Sequence, residues 1–316
     1  MNSIINHKGY KQTFIENKLT LGLAFPLEAR TSMDIGEQVR LAQKAEDLGF
    51  SALFVRDSPL HDPKFGDSGN LFDPFVFLSY LAAHTKKIAL GTASVVTPLR
   101  NPLHLAKLAA SLDILSSNRF LFGVATGDRP IEYPAFKVES DDKGRLFRES
   151  IEVMKKVWSE DFPTIETEKV NLTVGDVLPK PSQSHIPLLG TGYANQSMEW
   201  LAEHMDGFMF YMQEGFRQKE LIKTWREHTG TFKPFIQPII LDLTEDPKKP
   251  PFPIPIKASL KTGRNFLIDY LYALQDMGIN HTMLYLMPGN RPAEEVIQEI
   301  GEYVVPLFNK TKGVFK

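Results

Sequence analysis

The chain has 316 residues, of which 42% are hydrophobic and 23% charged, with a formal net charge of −2. Such a composition supports a large core, and charges of both signs are spread along the chain, so nothing argues for a nucleic acid or a membrane surface as partner. Cysteine is absent, which removes disulfides, thiolate metal sites and a cysteine nucleophile together.

Residues 1–18 (MNSIINHKGYKQTFIENK) are polar and patternless and read as an arm outside the core. They lack the apolar stretch of a signal peptide. No apolar run approaches the about 20 residues that span a bilayer, so a cytoplasmic protein is expected. One domain is expected from residue 19 to residue 316. It opens with a strand at 19–25 (LTLGLAF). Asp34 followed by Glu37 reads as a capping box. Ile35, Val39, Ala42, Ala45 and Leu48 then recur at helical spacing until Gly49 stops the helix. The second strand is 52–55, followed by a polar segment from Arg56 to Asp62. Asp73 and Pro74 open a helix that runs to 84, and 87–96 (KIALGTASVV) is the third strand. Asn101 and Pro102 cap the next helix, with proline where its missing N–H costs nothing. Its expected buried stripe is Leu105, Leu108, Ala109, Leu112 and Leu115. Strand four is 119–125 (RFLFGVA), and the polar loop Thr126-Gly127-Asp128-Arg129 follows.

A helix is expected over 145–158, and 163–174 pairs locally as short strands. Strands five, six, seven and eight fall at 186–190, 207–211, 234–241 and 281–286, with helices at 214–228, 264–277 and 292–306. Five prolines in 246–255 (DPKKPPFPIP) forbid regular structure there. Alternating strands and helices imply a parallel sheet. Eight of each at this length imply an α/β protein of the (β/α)8 TIM-barrel type, with insertions after strands four and seven. A doubly wound sheet is the structural alternative. In a barrel the site lies where strands run into the following helices.

One such turn is IPLLGTGYANQSMEW at 186–200. A strand ending in glycines and opening into a helix makes an anion site, because backbone approaches closely and the first helical N–H groups lack partners. The expectation is a helix that starts early enough to hold Ser197 about one turn in. An ordinary strand-to-helix turn is the other reading. The eight histidines show neither H-x-H nor H-E-x-x-H spacing, so no metal site is expected.

Several strand ends resemble those of the bacterial luciferase-like family of flavin-dependent oxidoreductases. The resemblance is carried by AEDLGFSALFVRDS, by GTASVVTPLRNPLHLAKLAASLDILSSNRFLFGVATGD across strands three and four, and by GTGYANQSMEWLAEHMDGFMFY. It implies FMN, or the deazaflavin F420 in some branches, at the C-terminal mouth of a barrel. The flavin ring would rest at Ala93-Ser94, where family members often carry a non-prolyl cis peptide. The phosphate would meet Thr126, Arg145, Thr191, the N–H of Ala194, and Ser197. Gly192, Tyr193 and Asp128 would sit near the cofactor. Thr126 stands where luciferase has an arginine, which leaves Arg145 as the expected cation. Asp57 keeps a family acid, but Ser58 replaces the catalytic histidine that follows it; serine is no base near neutral pH without an activating partner. His61, three residues on, is the candidate substitute.

The implied activity is a monooxygenase using reduced FMN and O2 on an apolar organic substrate, with a separate flavin reductase and a homodimeric assembly. Expected pocket walls are Phe25, Phe54, Phe208, Met209, Phe210 and Met212, of which alternation lets about half face inward. The segment 246–255 stands where relatives carry a mobile lid. Rival readings are an F420-dependent hydride transferase, a non-catalytic flavin-binding protein, and an unrelated phosphate-binding barrel. The last would want a strand-end lysine, which none of the strand ends offers.

Overall fold

The periodicities resolve into eight parallel strands in a computed structural model that describes residues 6–27, 33–62, 64–65, 71–252, 259–286 and 291–309. They are β1 (Thr20–Phe25), β2 (Ala52–Val55), β3 (Ala89–Thr92), β4 (Phe120–Ala125), β5 (Leu188–Thr191), β6 (Gly207–Met209), β7 (Phe235–Leu243) and β8 (His281–Leu286). Each bonds to the next, and β8 bonds to β1, so the sheet closes as a (β/α)8 barrel. The doubly wound alternative is excluded. Every residue of β1 is buried, as parallel strands covered on both faces require.

Side chains alternate between two compartments. Ala24, Ala52, Phe54, Ala89, Leu121, Leu189, Met209, Ile236 and Met283 fill the barrel interior, and the larger set faces the helices. Phe54 fits because Gly91 faces it; a Cβ there would stand 2.4 Å from the ring. Caps set the helix starts. Asp34 accepts from the N–H groups of Gly36 and Glu37, Asp73 from those of Phe75 and Val76, and Asn101 from those of Leu103 and His104.

The N-terminal residues depart from expectation. Residues 8–13 form a helix, Lys8–Thr13, and Tyr10 and Phe14 pack into the barrel interior at 5% and 4% exposure. The Tyr10 hydroxyl donates to the Asp206 carbonyl (3.0 Å), and the Thr20 hydroxyl donates to that of Thr13 (2.6 Å). His7 is buried against Asp113 at 2.8 Å. The segment expected outside the core therefore stoppers the N-terminal mouth. Its apolar stripe spans a single turn, too short to register as periodicity.

Smaller departures also matter. The third strand breaks at a cis Ala93–Ser94 peptide and resumes at Val95–Val96. In the helix Pro102–Leu115, Leu105, Ala109 and Leu112 are buried, but Leu108 and Leu115 are 40% and 65% exposed. The short antiparallel pair Ile165–Glu166 and Asn171–Leu172 forms as expected. An additional strand, Ser259–Thr262, pairs in parallel with the upper end of β7. Residues 246–252 are tied down beside it. Phe252 N–H donates to Lys261, Gly263 N–H to Lys249, and Asn265 N–H to Pro247. The remainder of the expected lid, 253–255, lies outside the described residues.

Candidate active site

A cavity of about 470 Å³ opens at the C-terminal mouth, lined from the ends of β2 through β8. Of the residues expected at the site, it gathers Asp57, Ala93, Ser94, Thr126, Asp128, Thr191, Gly192 and Ala194. Ser94 and Thr191, on strands flanking β4, hydrogen-bond through their hydroxyls. Gly123 lets them approach: a Cβ on it would fall 1.9 Å from the Thr92 carbonyl oxygen. Gly192 adopts φ 60° with open space around it, and Ala194 and Asn195 continue in left-handed conformations. The helix after this loop therefore begins only at Met198. Ser197 is its N-cap, accepting from Trp200 N–H at 3.1 Å. Its hydroxyl is occupied by the helix, and it lines neither cavity described here.

The loop after β2 separates the three expected catalytic residues. Asp57 is buried, and both its oxygens are engaged. Arg100 donates from Nη2 to Oδ1 (2.8 Å) and from Nε to Oδ2 (3.3 Å), and Val96 N–H donates to Oδ2 (3.1 Å). Burial pushes its carboxyl up, while Arg100 and Val96 act in the opposite direction. Asp57 thus ties the β2 loop to the broken third strand. The chain then turns away. The Ser58 hydroxyl donates to the Leu60 carbonyl (3.3 Å), His61 is exposed, and neither lines the cavity.

Arg145 also departs from its expected place. Its half-exposed guanidinium is ion-paired to Glu168 (2.7 Å) and Asp142 (3.1 Å), with Glu149 at 3.8 Å. It borders a second cavity of about 400 Å³ together with Gly144, Arg148, Asn195 and Gln196. Arg148, one turn further along the helix Lys143–Ser159, donates to Gln196 Oε1 from Nη2 (2.8 Å) and Nε (3.3 Å). It lies 5.4 Å over the Trp200 ring and has no ion-pair partner among the described residues. Gln196 Nε2 donates to the carbonyls of Gly144 (2.8 Å) and Ala194 (3.1 Å), which pins the loop to the helix. Gly144 permits that contact, since a Cβ on it would meet Asn195 at 2.7 Å. Ala194 lines the first cavity and the next residue, Asn195, the second. Arg148 and Gln196 were not singled out by sequence; the available signal was that Arg148 lies at i+3 from Arg145, on the same helix face.

Among the expected pocket walls, Phe210 lines the mouth cavity, joined by Phe65, Tyr211, Ile240 and Tyr285. Phe54 and Met209 lie in the barrel interior, and Phe25 and Phe208 face the helices. Met212 is 40% exposed. Tyr193 is 46% exposed and packs edge-on against Phe210. No cluster of metal-ligating side chains occurs among the described residues.

A closed parallel barrel with a polar, glycine-rich cavity at the carboxyl ends of its strands defines the ligand-binding TIM-barrel class. Within that class the chain belongs to the luciferase-like monooxygenase family, whose profile matches residues 19–233. An uncharacterised Mycobacterium tuberculosis protein is 30% identical over 186 residues, 53% of this chain and 65% of the relative. The chain thus spans less than two thirds of that curated relative. An F420-dependent secondary alcohol dehydrogenase, solved with an F420–acetone adduct, superposes with TM-score 0.76 at 18% identity, covering 93% of this chain and all of the other. The oxygenating constituent of a Pseudomonas putida 3,6-diketocamphane monooxygenase, solved with FMN, superposes with TM-score 0.72 at 13% identity, covering 92% and 98%. At those identities the likeness is one of fold.

Proposed function

We propose that this chain is a flavin-dependent monooxygenase that uses reduced FMN and O2 on an apolar organic substrate. The observation that carries the reading is the pair of cavities lined by consecutive residues of one loop, Ala194 and Asn195. One has a hydroxyl-bearing floor at the barrel mouth, and the other holds Arg148, which has no carboxylate partner among the described residues. The donor set suits a flavin mononucleotide. Arg148 offers a planar fork for the phosphate, with Asn195 and Gln196 beside it. Ala93, Ser94, Thr191 and Gly192 form a shallow shelf for the ring. Bound reduced flavin supplies electrons to oxygen. The protein's part is to hold the phosphate, orient the ring over Ser94 and Thr191, and exclude water with Phe210, Tyr211 and Tyr285.

Two other readings keep specific support. A fold neighbour solved with F420 leaves F420-dependent hydride transfer open as a second chemistry for this barrel. Ser58 and His61 lie off the cavity lining, which favours a non-catalytic flavin-binding protein. A homodimer agrees with the exposed apolar side chains Val76, Tyr80, Leu108 and Leu115 on two neighbouring helices. Reduced flavin would come from a separate reductase, and the reading is of a cytoplasmic protein. No described helix is long and apolar enough to cross a membrane.

Titration of the purified protein with FMN, reduced FMN and F420 tests the cofactor. Tight binding of reduced FMN, followed by oxygen uptake coupled to substrate oxidation, is the expected result. Failure of all three to bind refutes the reading. Binding of F420 alone selects hydride transfer, and FMN binding without turnover selects the non-catalytic flavin-binding role.

A further inference from the structure

The arginine assigned to the phosphate stands at the surface. Arg148 is exposed, and a long exposed cation samples many rotamers, so a ligand that must order it loses affinity. Two uncharged side chains order it in advance. Gln196 Oε1 accepts from Nη2 (2.8 Å) and from Nε (3.3 Å). That amide cannot turn over, because its Nε2 already donates to the carbonyls of Gly144 and Ala194. The second side chain is Trp200, whose ring centroid lies 5.4 Å from the guanidinium carbon, within the range of cation–π attraction. Nη1 and the second hydrogen of Nη2 have no acceptor among the described residues.

Trp200 is itself fixed by its neighbours. His204, one turn on, stacks on the ring with centroids 4.2 Å apart and 6° between the planes. Its Nδ1 lies 3.0 Å from the Trp200 carbonyl oxygen. Phe147, next to Arg148 in sequence, meets the ring in a T-shaped contact at 6.0 Å. The ring lines neither of the two cavities, so its influence on a ligand there runs through Arg148. Arg145 shows the alternative, in which carboxylates orient a guanidinium and neutralise it. A π-face and an amide oxygen orient the group and leave its charge available. Resting on the reading of the second cavity as a flavin phosphate site, we propose that Trp200 is a positioning residue for that phosphate, holding Arg148 so that its unspent donors meet the anion. Preference for phosphorylated over unphosphorylated flavin then depends on an aromatic face at residue 200.

The test titrates FMN and riboflavin, which differ by the phosphate alone, into the protein and its variants by calorimetry. The parent is expected to bind FMN about 100-fold more tightly than riboflavin. Trp200→Leu lowers that ratio about two- to fivefold and leaves riboflavin affinity in place, whereas Trp200→Phe, which keeps a π-face, retains most of it. Trp200→Met, which fills similar space without a π-face, gives the same loss and decides the matter if the leucine variant fails to fold. In an Arg148→Ala background Trp200→Leu no longer changes the ratio, as a residue acting through the arginine requires. An unchanged ratio in Trp200→Leu, an equal loss for FMN and riboflavin, or a loss that persists in the Arg148→Ala background overturns the proposal and leaves the flavin reading standing. So does a parent that binds both flavins alike, because the phosphate then adds nothing. If neither flavin binds, the flavin reading falls and this inference falls with it.

Discussion

His281 makes the stability of this barrel sensitive to mild acid. The residue is fully buried on β8, with Nδ1 2.8 Å from the Thr20 hydroxyl and no hydrogen-bond partner for Nε2. The rings of Phe14 and Phe54 lie 5.9 and 5.5 Å away. Burial alone pulls its pKa from 6.5 down to about 3. The unfolded chain, with its histidine near the ordinary value, binds more protons between those two pH values, so stability rises with pH across that window. The neutral ring contributes fully above the unfolded value, and its contribution is lost as pH falls toward the folded one. Acidifying from about pH 7 to about pH 5 therefore removes roughly 2 kcal/mol through this residue. Urea unfolding followed by tryptophan fluorescence at half-unit pH steps measures the slope. His281→Gln, which cannot titrate, should flatten it by about one proton over that range, whatever it does to stability at neutral pH. An unchanged slope in the variant, or a His281 ring seen by NMR to titrate near its ordinary value in the folded protein, would refute the reasoning.

Arg148→Ala should weaken FMN binding by about 10- to 100-fold, the usual cost of losing charge-assisted bonds. Arg145→Ala, whose charge already faces Glu168 and Asp142, should leave it nearly unchanged; fluorescence titration giving the opposite ranking rejects the phosphate assignment. Arg100→Ala strands the buried Asp57 carboxylate and should cost about 3 kcal/mol in chemical denaturation. Most of that should return in the double variant with Asp57→Asn, and equal losses in single and double variants would contradict the tie. Phe14→Ala opens a cavity in the lower barrel and should cost about 3 kcal/mol. A melting temperature equal to that of the parent would show the N-terminal helix to be loosely attached.

Much of the barrel was legible because its boundaries are written in local chemistry. Asp73-Pro74 and Asn101-Pro102 announce helix starts by capping, and 52–55 is an apolar run between a glycine-stopped helix and a charged segment. What escaped depends on contacts distant in sequence. Tyr10 and Phe14 are two apolar residues in a polar stretch until the barrel floor is placed above them. The outward turn of Leu108 and Leu115 depends on how the helix is rolled, and their hydrophobicity says nothing of that. At the site, the family pattern located Ser94, Thr191 and Gly192 on the cavity wall. It did not foresee that Arg145 has three carboxylates around it whereas Arg148 has none among the described residues: Asp142 and Glu149 lie at i−3 and i+4 of Arg145, and Glu168 folds back onto it from the hairpin after the helix. Ser197 was misjudged by the length of the left-handed loop through Ala194 and Asn195.

The stopper made by Tyr10 and Phe14 also governs traffic. With the lower barrel filled by side chains, the described cavity is reached from the C-terminal mouth, and visitors to it form a queue. Whatever settles deepest must arrive first and depart last. A flavin resting on Ser94 and Thr191 would thus load before any substrate at the rim, and product would have to clear the threshold before spent cofactor could be exchanged. Kinetically that would be a compulsory order, imposed by a six-residue helix and the Phe14 that follows it, at the end of the barrel opposite the chemistry.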